Sequence, residues 1–302
     1  MKKLFLLFVA SAFISSKSFS QTDTLWRTGA ITALNFNQVS LTNWAAGGEN
    51  SFGGNALLSY NANYKKRKLA WDNSLDLAMG GSKTGDRDIR KTDDKIDVNT
   101  KIGYDLGKNF FATYLFNFKT QFTEGFEYAD TFRTRISNFL TPGYFLNAIG
   151  IDWKPNSNLS IFISPVTAKT TMVNDQSLID LSEQTGVSLF GVEPGKKIRT
   201  EAGAYFAMKY MRNLMEHVDF TTKLELFSNY RNNPQNIDVN WQVVISLKVN
   251  KYITALIQTD LLYDNDVFVP KSDANASPGP GTQFKESFSI GFSYKFEGFG
   301  VK

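Results

Sequence analysis

From residue 58 onward the chain alternates apolar and polar positions with the two-residue period of a β-strand. In residues 95–106 (KIDVNTKIGYDL), Ile96, Val98, Thr100, Ile102, Tyr104 and Leu106 hold one parity. Lys95, Asp97, Asn99, Lys101, Gly103 and Asp105 hold the other. Such a strand has one apolar face ending in aromatics and one charged face. The pattern recurs at 58–65, 69–79, 110–122, 145–153, 159–163, 199–210, 218–230, 239–248, 253–261 and 285–296. With residues 24–41, whose parity is ambiguous, it predicts about twelve strands. Pro165 predicts weakened pairing within one of them.

The connections alternate in length. Those at 65–68, 107–109, 154–158, 212–217 and 250–251 are short. Those at 42–54, 81–93, 123–141, 174–197 and 264–283 are long, with 231–236 a shorter exception. Aromatics collect at both ends of the strands: Tyr64, Trp71, Tyr104, Phe110, Trp153, Tyr210 and Tyr294 beside short turns, Phe122, Tyr230, Trp241 and Tyr263 beside long loops. A secreted sandwich would also alternate, with its apolar parity as core. Two aromatic girdles and one-sided long loops instead predict an all-β fold, a transmembrane antiparallel up-and-down barrel whose apolar parity faces lipid.

The N-terminus fits that address. Lys2 and Lys3 precede an apolar stretch at 4–14, and Ser18 and Ser20 set small residues before Gln21. This predicts a signal peptide at 1–20 and a barrel domain at 21–302, since the apolar stretch is shorter than the ~20 residues that span a bilayer. With the leader go Lys2, Lys3 and Lys17, and with them most of the formal charge of +4, so the basic balance is no argument for nucleic acid. Cys is absent, which excludes disulfides, thiol nucleophiles and thiolate metal sites. The expected location is the outer membrane of a Gram-negative bacterium, with short turns and both termini periplasmic.

Residues 34–55 (LNFNQVSLTNWAAGGENSFGGN) contain Asn35, Phe36, Gln38, Ser40, Asn43, Trp44, Ala45, Gly47 and Gly48 in the pattern N-F-x-Q-x-S-x-x-N-W-A-x-G-G. This signature resembles an uncharacterised family of Bacteroidota outer-membrane proteins, catalogued as a domain of unknown function. The resemblance implies an outer-membrane barrel and brings no activity, substrate or catalytic residue. Trp44, Gly47, Gly48, Glu49 and Asn50 form a candidate partner-binding or rim loop, because small residues permit close backbone approach and Trp44 supplies an anchor. A tight rim loop reads the same.

Chemistry is sparse. The single histidine, His217, falls at a short turn, away from the outer loops where a barrel hydrolase would need its base, and no enzymatic activity is expected. No cofactor or metal site is expected either: Asp264, Asp266, Asp273 and Asn275 have oxygen donors but no EF-hand spacing. Asp97, Asn99, Lys101, Asp105, Lys119, Arg199, Glu201, Lys223, Glu225 and Asp238 fall on the polar parity and are candidate pore-lining residues. Mixed signs also allow a lumen bridged by ion pairs. A porin-like passive channel or small-solute transporter is therefore expected, with a non-enzymatic accessory subunit of a larger outer-membrane assembly as the alternative. A lipid- or peptide-hydrolysing barrel is a residual third. Expected partners are membrane lipid, lipopolysaccharide and other outer-membrane proteins. Ser177 and Asp180 predict a capping box that opens a short helix in the 174–197 insert, and the 123–141 loop is unusually aromatic.

Overall fold

The structure, a computed structural model, describes residues 25–41, 49–128, 132–269 and 279–297. The predicted leader, Trp44, Gly47, Gly48, Asp273 and Asn275 lie outside those residues. In chain order the elements are β1 (Trp26–Val39), β2 (Ser51–Lys66), β3 (Leu69–Thr84), β4 (Arg90–Gly107), β5 (Phe110–Thr120), β6 (Gly125–Tyr128), β7 (Arg133–Ser137), β8 (Gly143–Asn156) and β9 (Leu159–Met172). After them come helix α1 (Gln176–Thr185), β10 (Ile198–Met215), β11 (Val218–Asn229), β12 (Ile237–Lys248), β13 (Ile253–Tyr263), β14 (Phe268–Val269), β15 (Gly279–Pro280) and β16 (Gln283–Glu297).

Twelve of these strands close a single antiparallel barrel in the order β1-β16-β13-β12-β11-β10-β9-β8-β5-β4-β3-β2. They are the twelve that alternation predicts. Closure by β1 against β16, Leu34 opposite Phe292, leaves no exposed edge. Parity assigns the faces: Phe110, Tyr114, Ile149, Ile163, Phe288, Ile290 and Phe292 are exposed on the outside, whereas Phe111, Leu115, Asp152 and Phe162 are buried within. In β1, whose sequence left parity open, Ala33 and Asn35 turn inward. Among the described residues no helix is long and apolar enough to cross a membrane.

Strand pairing runs further than apolar alternation. β3 continues through Gly80, Gly81, Ser82 and Lys83, and β4 begins at Arg90, so most of the predicted 81–93 loop is a ladder ending in a tight turn. The ladder needs only backbone groups. Beyond the apolar belt both faces meet water, so alternation fades while hydrogen bonding persists.

At Pro165 the β9–β10 register slips: Gly203 pairs with Thr167 and Tyr205 with Ser164. Pro165 and Val166 together oppose one residue, a β-bulge of the kind a missing N–H permits. Ser164 Oγ donates toward the Ile149 carbonyl at 2.8 Å, and Thr167 Oγ1 meets Ser164 Oγ at 2.9 Å. Glycine is required beside the bulge, because a Cβ on Gly150 would come 2.0 Å from the Ile163 carbonyl oxygen.

The aromatic girdle at the short turns is denser than sequence showed. Trp26 lies 5.2 Å from Tyr64 and 5.4 Å from Trp71, Phe110 stacks on Trp153, and Tyr252 stacks on Tyr294. Outward polar groups are paired locally. Trp71 Nε1 donates to Thr100 Oγ1 at 2.7 Å, Thr100 Oγ1 to Asn73 Oδ1 at 2.7 Å, and Tyr114 OH to Asn147 Oδ1 at 2.7 Å. Local pairing is what an apolar surround demands of such groups.

The long loops carry their own structure. Helix α1 forms as predicted, but its N-cap is Asp175, not Ser177. The Asp175 carboxylate accepts from Ser177 N at 3.1 Å and Leu178 N at 3.3 Å, and Gly186 closes the other end at φ 69°. Ile179 packs with Val173 and Val192 in a small core of the insert itself.

Candidate functional site

The lumen holds the chemistry, and its polar parity is joined across the barrel. Nearest the short turns, Lys101 Nζ donates to Asp152 at 3.1 Å, and Lys154 bridges Asp72 and Asp152. At mid-height, Lys119 reaches Glu225 at 2.5 Å and Lys223 reaches Asp76 at 3.0 Å. The second of these spans the bore, because β3 and β11 stand opposite each other in the ring. Nearest the long loops, Lys169 meets Asp238 at 2.6 Å and Asp264 at 3.0 Å, while Arg199 holds Glu201 at 2.9 Å and Asp266 at 2.5 Å. Lys285 pairs with Asp93 there, and Asn55 links Asp93 to Asn35.

Charges in a low-dielectric wall persist only when paired and hydrogen-bonded. The bridged carboxylates meet that condition in each tier: Ser160 Oγ donates to Asp152 at 2.8 Å, Ser59 Oγ to Asp76 at 2.5 Å, Asn240 Nδ2 to Glu225 at 2.8 Å and Asn229 Nδ2 to Glu201 at 2.9 Å. Among the described residues no buried side-chain nitrogen or oxygen lacks a hydrogen-bond partner.

One half of the lumen is also filled by apolar side chains. Leu115, Ala148, Phe162, Tyr205 and Phe227 pack together on β5, β8, β9, β10 and β11, with Leu146 and Ala207 against them. These residues sit on the polar parity, flanked by Asn117, Ser160, Ser164 and Glu225. Two lysines lie against this packing, with Lys101 Nζ 5.2 Å from the Phe162 ring and Lys169 Nζ 5.2 Å from Phe227, and Lys154 Nζ lies 5.2 Å from the separate ring of Phe111.

The opposite half differs. Ile31 pairs with Ser59, and the Ser59 hydroxyl bonds Asp76, so all three face inward. Ile31 is 47% exposed there, and Ser59 and Asn61 are exposed beside it. Lumen-facing residues on β13 and β16 are small or uncharged through Gln258, Ser287 and Ser289. The bore is thus occupied on one side and accessible to water on the other.

The expected pore-lining residues separate by role. Lys101, Lys119, Arg199, Glu201, Lys223, Glu225 and Asp238 take part in the bridges above. Asp97 accepts from Asn117 Nδ2 at 2.8 Å and lies 3.4 Å from Lys95, and Asn99 stands opposite Asn117. Asp105 instead sits at the short-turn rim, where its carboxylate accepts from Gly107 N at 2.7 Å. Glu49 ties the β1–β2 connection to the β3–β4 turn through Arg87 at 3.2 Å, and Asn50 Oδ1 accepts from Leu41 N at 2.7 Å within the β1–β2 connection itself. Exposed His217 has φ 67° at its turn, with Glu216 as its charged neighbour. Among the described residues no cluster of His, Asp and Glu could hold a metal.

Sequence reading missed Lys154, placed in a turn, together with Lys169 and the apolar lumen cluster, whereas Lys285 falls on the inward parity of the last strand as alternation predicts. A signal for the apolar cluster existed: Leu115, Phe162 and Phe227 interrupt polar runs at the parity of Asn117, Ser160 and Glu225.

The loops lock over one side of the mouth. Asp175 accepts from Arg135 at 3.2 Å and Asn138 at 3.0 Å, and Thr141 Oγ1 accepts from Asn174 N and Asp175 N at 2.9 Å. Burial raises the Asp175 pKa, but hydrogen bonds from Ser177, Asn138 and Leu178 with the Arg135 charge outweigh it, leaving the pKa below its ordinary 3.8. A depressed carboxylate contributes stability above its unfolded pKa and loses it as pH falls through the folded value. Hydrogen exchange in residues 174–197, corrected for intrinsic rates, is therefore expected to stay slow at neutral pH and accelerate below about pH 3.8. Asp175→Asn should exchange fast already at pH 7.

No curated protein matches the sequence. Among solved structures, the chain is similar to the translocator domain of autotransporter NalP from Neisseria meningitidis, with TM-score 0.35 and 9% identity over 98% of this chain and 95% of that one. It is similar to an outer membrane channel from Pseudomonas putida F1, with TM-score 0.39 and 8% identity over 94% and 100%. It is also similar to NanC porin, with TM-score 0.36 and 12% identity over 89% and 100%. Residues 36–126, from β1 into β6, match a family described as a protein of unknown function (DUF3078).

Proposed function

We propose that this barrel resides in the outer membrane of a Gram-negative bacterium and passes small solutes through a narrow, off-axis lane. The apolar belt between aromatic rings supports the membrane placement, since such a surface is unsuited to water. Long loops then face outside and the short turns, with Trp26 and the last residues of β16, face the periplasm. The signature at 35–48 supports a Bacteroidota host. Lipopolysaccharide and phospholipid would contact the belt, and no catalytic step is assigned to the barrel.

The observation that carries transport is the accessible inner wall at Ile31, Ser59 and Asn61, beside a half-lumen already filled. A lane of that kind admits water and small ions but not large solutes. Purified protein in planar bilayers is expected to give small, discrete conductance steps. Asn61→Trp, which puts a bulky ring in the lane without touching an ion pair, should lower the unitary current by about half.

The cross-lumen Lys223–Asp76 pair favours a second reading, a closed barrel that serves as an accessory subunit of a larger assembly. A silent bilayer with correctly folded protein, together with stoichiometric partners after gentle detergent extraction, would decide for it. Loss of those partners on Glu49→Ala would place the contact at the β1–β2 loop.

A further inference from the structure

The inward charges are not spread evenly along the barrel axis. Near the short turns, three inward carboxylates are paired with lysines, Asp152 and Asp72 with Lys101 and Lys154 and Asp219 with Lys248, while Asp105 accepts only from the Gly107 backbone and keeps its charge. Lys65, opposite Ala70, also points inward there, and Lys209, between Ser160 and Lys223, points inward on the short-turn side of mid-height; among the described side chains neither has a carboxylate within salt-bridge distance, so this half holds five inward lysines against four carboxylates. This end of the lumen carries surplus positive charge.

The long-loop end has the opposite surplus. Lys169 alone faces Asp238, Asp264 and Glu201, and Arg199 is shared between Glu201 and Asp266. Asp260, inward on β13 opposite Lys285, which is taken by Asp93, accepts among the described side chains only from neutral amides, Gln242 at 2.7 Å and Gln258 at 2.7 Å. At mid-height Lys119–Glu225 and Lys223–Asp76 balance each other.

We propose that the lumen is a bipolar conduit, positive at its short-turn mouth and negative at its long-loop mouth, and that it therefore rectifies ionic current. This rests on the transport reading above. With the long-loop side at positive potential, cations enter where the wall is negative and anions where it is positive, so both accumulate inside and conduction rises. With the polarity reversed, each ion meets a repelling mouth and the middle of the lumen is depleted. Neither ion class is excluded, and a wall of this kind draws cationic groups of a solute from outside and anionic groups from the periplasm. The effect needs wall fields that reach across the lane: screening lengths are about 10 Å at 0.1 M salt and about 3 Å at 1 M.

The test is single-channel recording with known orientation. The chain has no cysteine, so Lys196→Cys on the long-loop side, probed with a membrane-impermeant thiol reagent added to one chamber, reports which way each barrel faces. At ~0.1 M KCl the current with the long-loop side positive should exceed the reverse by roughly twofold, and at ~1 M the two should converge. Lys209→Glu and Asp260→Asn should each bring the ratio toward one while steps of similar size remain. Steps that are symmetric at low salt, that rectify in the opposite sense, or that ignore both variants would overturn the bipolar lumen and leave transport standing. The absence of any steps would remove both.

Discussion

Asp152→Ala is expected to destabilise the barrel by about 3–5 kcal/mol, the range for breaking a buried ion pair by removing one partner. Asp152 is fully buried and is, among the described residues, the only carboxylate bridged to Lys101, and it also lies 3.5 Å from Lys154. Lys154 keeps Asp72 when Asp152 is lost, whereas Lys101 keeps only Ser160 Oγ at 3.4 Å and the Phe162 ring. A lysine stranded in the wall has to pull in water or distort its surroundings. Equilibrium unfolding in urea, from detergent or vesicles, reads the effect as a shift in midpoint at unchanged slope. The double variant Asp152→Leu with Lys101→Met removes both charges and should recover most of the loss, because a buried pair and a packed apolar pair of similar volume are close in free energy. If the double variant is no better than Asp152→Ala, the pair is not the source of the effect.

Phe162→Ala is expected to cost about 3–5 kcal/mol as well, through a different term. Its ring is 0% exposed and packs with Leu115, Tyr205 and Phe227, 6.3 Å from the Tyr205 ring. Truncation loses the transfer term and leaves a cavity that the barrel wall, tied by its ladder, has little freedom to close. In a soluble protein the void would stay dry. Here it opens toward a polar lumen, so under the proposed transport function unitary conductance should rise even as the unfolding midpoint falls. A fall in stability with no change in current would show that the apolar half is sealed from the lane.

The two variants bear on one design. A barrel of twelve strands is wide enough for a water path, and this chain narrows it with ion pairs at three heights and an apolar half-filling. The lane along β1 and β2 is what remains. The loops add a further restriction on the side of β8 to β13, where Asp264 and Asp266 reach back to Lys169 and Arg199.

Much of this was legible one residue at a time. Residues 95–106 displayed their two faces without any partner, because side-chain alternation is a property of a single strand. Pro165 announced a disturbance in pairing, and its bulge follows from the missing N–H alone. The helix in 174–197 was legible too, though its cap lay two residues before the predicted one, because the Asp175 carboxylate takes the amides of Ser177 and Leu178 and so starts the helix earlier. By contrast, residues 81–84 read as loop and fold as strand, since pairing outside the apolar belt leaves no mark in hydropathy.

Sequence by itself determined the number of barrel strands, which parity faces out, where the aromatics ring the barrel, and which end carries the long loops. Each is a local signal, repeated along the chain. Tertiary structure alone decided which lysine meets which carboxylate, that Phe162 and Phe227 fill half the lumen, and that Ile31, Ser59 and Asn61 stay accessible. Lys223 and Asp76 are 147 residues apart in the chain and 3.0 Å apart in space. Only closure of the ring, with a register summed over every pair of strands, brings them together, and no single strand carries that information.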